Sequence, residues 1–226
     1  MAKAVIIYGP PGSGKGTQAD LLARKFNFIH LDTGRYLEGL FRSPEAKKDP
    51  VLKREKANFD SGILCTPSWV LKITREETER IAKAGYNLVF SGSPRTLFEA
   101  FGEGKTKGLL ETLIKSFGKE NISVILLEVR DETSIKRNSH RLVCSQCGLP
   151  KLESVTLGHC PLCAGPMRTR SLDNPEVIKV RLKEYRDRTY PIVAEMKKKK
   201  FKITKIDGEP LPYKVSEKVV KALKLG

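Results

Sequence analysis

The chain has 226 residues, enough to bury one substantial core and short for two independent domains. Lysine and arginine total 42 against 26 acidic residues, a formal net charge of +16 that suits polyanionic ligands, nucleotide phosphates among them. Aromatics make up only 7 % and are not interleaved with the basic residues, which argues against a single-strand nucleic-acid platform; the four lysines at 197–200 read as a solvated surface.

Residues 5–8, Val-Ile-Ile-Tyr, are a short continuous apolar run, the pattern of a strand buried on both faces. Directly after it come Gly9-Pro10-Pro11-Gly12-Ser13-Gly14-Lys15-Gly16-Thr17 and then a helical pattern through residues 18–26. A strand, a glycine-rich loop and a helix start in this order make a phosphate cradle. Glycines let backbone N–H groups turn inward, the helix start adds partial positive charge, and Lys15 can reach the terminal phosphates. The general phosphate loop has Ser or Thr directly after the lysine, whereas here Gly16 intervenes and the hydroxyl arrives on Thr17.

Residues 28–31 are a weaker strand candidate. Thr66 and Pro67 open a helix as cap and first residue, and Trp69 on it reads as a packing residue rather than a base-stacking one. Residues 88–90 and 124–127 repeat the buried-strand pattern, and Asn174 with Pro175 opens a long helix through Val177, Val180, Leu182 and Tyr185. Residues 201–206 alternate as a strand near a sheet edge, and Val215, Val219, Val220 and Leu223 make one stripe of a closing helix. Strand and helix in alternation imply an α/β fold with an open, doubly wound parallel sheet and ligands at the carboxyl ends of its strands. No stretch approaches the ~20 apolar residues of a membrane span, and the first strand begins almost at Met1. The expected location is the cytoplasm, with reduced thiols.

Four of the five cysteines form two C-x2-C pairs, Cys144 with Cys147 and Cys160 with Cys163, separated by twelve residues. Each pair can present two thiolates from one tight turn, and together they complete a tetrahedral site, best suited to a structural Zn²⁺ because no ligand position is left open. His159 is a weaker alternative ligand. Gly148, Gly158, Pro161, Gly165 and Pro166 fit a small ribbon with little apolar core, whose folding would depend on the metal.

The phosphate loop, ending Gly14-Lys15-Gly16-Thr17, resembles that of adenylate kinases and related nucleoside monophosphate kinases. Thr33-Gly34, Gly92-Ser93-Pro94-Arg95-Thr96, Arg137 and Arg141, the four-cysteine ribbon, Arg170, Arg181 and Ile206-Asp207-Gly208 follow in the same family's order. The resemblance implies one P-loop kinase domain over residues 1–226, with a monophosphate-binding helical insertion at 34–66 and a zinc-ribbon lid at 141–170. It implies reversible transfer of the γ-phosphoryl of ATP, held with Mg²⁺, to a nucleoside monophosphate, AMP being the first expectation. Alternatives are a pyrimidine or broad-specificity monophosphate kinase, or a catalytically weak nucleotide-binding protein associated with regulation or RNA. A monomer is the default.

By the same resemblance, Gly12, Ser13, Gly14, Lys15, Gly16 and Thr17 hold ATP with Arg137 and Arg141. Thr33, Arg35, Arg95, Glu99, Arg170 and Arg181 hold the monophosphate, and Lys15, Arg95, Arg141, Arg170 and Arg181 act in catalysis. So many cations are expected where positioning and charge neutralisation do most of the work.

The chain departs from the family pattern at several points. The usual acceptor-phosphate arginine is Glu38 and a nearby acidic position is Arg35, so Arg35 is expected to take that contact beside Arg95, with Glu38 turned to Arg35, the acceptor sugar or solvent; the alternative is that Arg95 carries the acceptor alone. The aspartate that helps order Mg²⁺ waters is Ser91, and Asp32 is expected to supply the missing charge. A glutamine that meets the base is Glu99, and one of two lid aspartates is Leu172, leaving Asp173.

Overall fold

The computed structural model describes residues 2–151 and 158–225. Residues 152–157, within the expected lid segment 141–170, lie outside the described residues. Five strands form one parallel sheet: β1 Ala4–Tyr8, β2 Phe28–Leu31, β3 Asn87–Phe90, β4 Ile122–Glu128 and β5 Lys202–Asp207, in the spatial order β2, β3, β1, β4, β5. The register sets Ala4 opposite both Leu88 and Ile122.

The central strands are apolar along 4–8, 88–90 and 124–127 because both of their faces are covered there. Along β1 the side chains alternate between two cores. Ile6 and Tyr8 join Leu71, Leu109, Leu113, Ile192 and Met196 on one face, while Val5 and Ile7 join Ala19, Leu22, Val215 and Val219 on the other. The α-helices among the described residues are α1 Lys15–Phe26, α2 Thr33–Arg42, α3 Pro50–Ser61, α4 Pro67–Lys83, α5 Leu97–Phe101, α6 Leu109–Phe117, α7 Asp131–Ser139, α8 Pro175–Glu184, α9 Tyr190–Lys198 and α10 Pro212–Leu223; α4, α6 and α9 supply the residues named on the first face, and α1 and α10 those on the second. The edge strand β5 has only Ile206 buried, as its alternating sequence implies.

A third apolar cluster, Leu37, Phe41, Phe59, Cys65, Val70 and Leu172, ties α2 and α3 to the start of α4. Trp69 stacks on Phe41 at 6.3 Å between ring centroids, the packing role expected of it. Asp32 caps α2 by accepting from the Arg35 amide, and Asp49 caps α3 by accepting from Val51. Thr66 stands at the cap position of α4, but its hydroxyl makes no cap bond. It donates to Glu55 Oε1, and the Thr66 amide donates to the other oxygen of that buried carboxylate.

The helix expected to run through Tyr185 instead ends at Glu184, and Tyr185–Thr189 form one π-turn that leads into α9. Such bulges tend to occur at functional sites, and Thr189 donates from this one to the Arg95 carbonyl.

Candidate active site

The loop between β1 and α1 wraps where the family pattern places phosphates. Gly12 and Gly14 have φ of 77° and 91°, a region that side chains rarely adopt, and a Cβ on Gly12 would stand 2.6 Å from Asn138 Nδ2. Ser13 Oγ is buried without a hydrogen-bond partner. A buried hydroxyl left unpaired is costly, and in a loop of inward amides it is a ready contact for a phosphate oxygen. Lys15 Nζ curls back to donate to the carbonyls of Gly9 and Pro10, both at 2.8 Å.

One cavity joins this loop to the expected acceptor side, lined among others by Gly9, Lys15, Ser91, Gly92, Arg95 and Arg181. Burial and the guanidiniums of Arg95, Arg181 and Arg141 push the Lys15 ammonium well below its ordinary pKa. Burial and then Arg141, Arg95 and Arg170 push Arg181 down to about 9. Lys15, Arg95 and Arg181 line this cavity, Arg141 and Arg170 lie close enough to act on them, and Asp173, Glu38 and Asp32 offset only part of these five charges. Arg141 holds Asp173 through two bonds, with Nε at 2.9 Å, and Arg181 lies 3.6 Å from it and donates to the Leu172 carbonyl. Such excess positive charge in a partly dry cleft calls for a polyanion.

The exchanged pair behaves differently from expectation. Glu38 turns neither to Arg35 nor to solvent; it binds Arg170 through both Nε, at 3.0 Å, and Nη2, with Arg168 3.5 Å away. A carboxylate between two partly buried arginines gains more than one beside a half-exposed partner. Arg35 lies 3.8 Å from both Asp20 and Asp32, and a Cβ on Gly148 would stand 3.3 Å from its guanidinium carbon. Arg95 instead donates from Nε to the Gly92 carbonyl at 2.6 Å.

Glu99 lines a second, smaller cavity with Thr33, Cys65, Ser93 and Arg95. Burial pushes its carboxyl up, against the Arg95 amide and Thr96 hydroxyl that donate to it. The hydroxyls of Thr33 and Ser93 are buried and unpartnered. Asp32 is held below the ordinary carboxylate range: burial works to raise it, and His30, the Arg35 amide, Arg35 and Arg170 outweigh that. Arg137 donates to the carbonyls of Gly208 and Glu209, which fixes it beside the loop after β5.

Cys144, Cys147, Cys160 and Cys163 converge, their sulfurs all within 4.8 Å of one another, and they form no disulfide. The amides of Cys147 and Leu162 point at the sulfurs of Cys144 and Cys160. Four convergent sulfurs with amides aimed at two of them fit a thiolate-bound metal. Strand pairs of two residues each, Val143–Cys144 with Met167–Arg168, are all the sheet this ribbon has among the described residues. His159 is not part of the cluster.

Sequence reasoning missed three residues that the site uses. Glu184, whose carboxylate lies 3.4 Å from the Leu64 amide, lines the main cavity. Asp20 and His30 lie behind Ser91. No motif marks them, since their partners are distant in sequence.

A phosphate loop facing a ring of arginines across one cavity defines a phosphotransferase that works between two phosphorylated ligands. The family model for adenylate kinase matches residues 7–201. Similar proteins are the adenylate kinases of Chlamydia pneumoniae, 35 % identical over 84 % of this chain and 83 % of that one, and of Treponema denticola, 34 % identical over 97 % of both. That of Petrotoga mobilis is 32 % identical over 90 % of this chain and 89 % of its own. The chain belongs to the adenylate kinase family. It is a nucleoside monophosphate kinase, an ATP:AMP phosphotransferase with nucleotides as substrates, and no helix among its described residues is long and apolar enough to cross a membrane.

Proposed function

We propose that Mg²⁺·ATP binds the loop at 12–17 and that AMP binds between α2, α3 and residues 92–99, so that the γ-phosphoryl passes through the cavity between them. The observation that carries this reading is the cavity that Lys15, Arg95 and Arg181 line together with the phosphate loop, with Arg141 close enough to repel both Lys15 and Arg181. Lys15 leaves the two loop carbonyls to meet the β- and γ-phosphates. Arg95 grips the acceptor phosphate, Arg141 and Arg137 hold ATP, and Arg170 and Arg181 span both groups. Thr33 and Glu99 face the acceptor. These roles use charge placed in advance, the main resource in phosphoryl transfer.

Mg²⁺ would supply charge neutralisation across the β- and γ-phosphates. Its donor set here would be Thr17, with Asp32 and Ser91 behind coordinated waters, oxygen atoms of the kind this cation prefers. Zinc would sit in the four-cysteine cluster and hold the lid, residues 141–170, as one unit. The insertion 34–66 would carry the acceptor, and closure of both would exclude water that could otherwise hydrolyse ATP. We place the enzyme in the cytoplasm as a monomer.

A coupled assay with ATP, Mg²⁺ and a panel of monophosphates tests the acceptor. AMP should give the highest kcat/KM; a pyrimidine monophosphate ahead of AMP would reassign the acceptor.

Two substitutions test the exchanged pair. Glu38 competes with the acceptor phosphate for Arg170, so Glu38→Gln should lower the KM for AMP by about three- to tenfold, the net value of an ordinary hydrogen bond because the amide oxygen of Gln can still accept from Arg170, with the KM for ATP unchanged. An unaltered KM for AMP would refute the competition, and a raised one would assign Glu38 to the acceptor instead. Arg35 is half exposed and 3.8 Å from its acidic partners, a pair worth at most about 1 kcal/mol, so Arg35→Ala should move the AMP KM less than about fivefold. A loss of tenfold or more would restore Arg35 as an acceptor contact.

A further inference from the structure

Asp20 on α1, His30 on β2 and Ser91 just after β3 form one hydrogen-bonded chain. Asp20 Oδ1 lies 2.7 Å from His30 Nδ1, and His30 Nε2 lies 2.7 Å from Ser91 Oγ. The imidazole is only 6 % exposed, so both ring nitrogens depend on these partners. An ionised carboxylate only accepts, so Nδ1 carries the proton. In the neutral ring Nε2 then only accepts, and the Ser91 hydroxyl must donate to it. With its hydrogen committed to the ring, Ser91 Oγ offers lone pairs to the cavity that it lines with Gly9, Lys15 and Arg95. A serine without such a partner rotates and serves equally as donor or acceptor.

We propose that Asp20 and His30 are positioning residues for phosphoryl transfer, which lock Ser91 Oγ as an acceptor for a water bound to the Mg²⁺ of the donor nucleotide. A carboxylate on α1 thereby acts at the end of β3 through two neutral groups. The waters of a divalent cation are strong donors, and their orientation depends on the acceptors around them. Arg35 lies 3.8 Å from the other oxygen of Asp20, and Asp32 is the other charged group close to the ring. The proposal rests on the Mg²⁺·ATP reading above.

The first test needs no metal. Nitrogen-15 spectra of the nucleotide-free protein, which has only three histidines, should show one ring locked with its proton on Nδ1 and a bare, hydrogen-bonded Nε2. A His30 ring carrying a proton on Nε2, with or without one on Nδ1, would overturn the proposal. The second test is calorimetric titration of a non-hydrolysable ATP analogue at increasing Mg²⁺, where no turnover occurs. His30→Ala and Asp20→Asn should each raise the Mg²⁺ needed for half-maximal binding about tenfold, as loss of an outer-shell partner does, and adding Ser91→Asp should restore it to within about threefold. A carboxylate at position 91 accepts without being oriented, so rescue separates positioning from support of the fold. Asp20→Asn sits on a partly exposed helix face and carries the test if His30→Ala does not fold. An unchanged Mg²⁺ requirement in the folded variants, or a loss that Ser91→Asp leaves in place, would refute the chain. Wild-type binding indifferent to Mg²⁺ would instead refute the metal reading and the proposal with it, and the metal-free tautomer result tells the two failures apart.

Discussion

Lys15→Ala is expected to lower kcat for ATP and AMP by at least about a hundredfold, and up to about a thousandfold, the range for removing one preorganised charge from a developing phosphoryl charge. The side chain follows a left-handed Gly14 at the first position of α1, so its ammonium projects from the same helix end whose amides face the phosphates. Its two bonds to Gly9 and Pro10 are weak claims on it, because each can be exchanged for a phosphate oxygen. Removing it also relieves repulsion from Arg95, Arg181 and Arg141, so thermal stability should change by no more than about 1 kcal/mol. Turnover near wild type in a folded Lys15→Ala protein would remove Lys15 from the chemistry.

Loss of zinc should unfold the lid before the sheet. Among its described residues the ribbon buries little beyond Val143, Cys144 and Cys160, and the strands there are two residues long. A structural zinc site of this kind contributes about 10–16 kcal/mol of apparent binding energy, as much as a whole domain's stability, and nothing else in the ribbon is of that size. Freshly isolated protein should hold about one zinc per chain. The pair Cys160→Ser with Cys163→Ser should bind none, expose residues 141–170 to protease, and lose activity because Arg141 and Arg170 stand at the two ends of that segment. Protein isolated without zinc, together with unchanged protease resistance in the double variant, would contradict this account of the lid.

The sheet could be read from the chain because strands buried on both faces must be apolar from end to end, as Val5 to Tyr8 and Val124 to Leu127 are. The phosphate loop and the cysteine pairs were equally legible, since their chemistry depends on spacing within a few residues. What escaped was pairing across the fold. Glu38 meets Arg170 across 132 positions, and His30 meets Ser91 across 61, so no local pattern announces either contact. Thr66 looked like an ordinary cap, but a buried carboxylate at Glu55 is a stronger partner for its hydroxyl than a backbone amide two or three residues on. The break at Tyr185 was hidden because a π-turn keeps helical geometry on both sides and only shifts the register.

The central claim is that one cavity carries a phosphoryl group from ATP to AMP without passing it to water. Phosphorus NMR of ATP, AMP and Mg²⁺ with catalytic amounts of the wild-type protein tests it directly. Loss of the ATP γ-signal should be matched by ADP formed in equal amounts from both nucleotides, with inorganic phosphate negligible and the same equilibrium reached from ADP alone. Inorganic phosphate in place of ADP, or no change in either direction with metal-replete protein, would contradict the account.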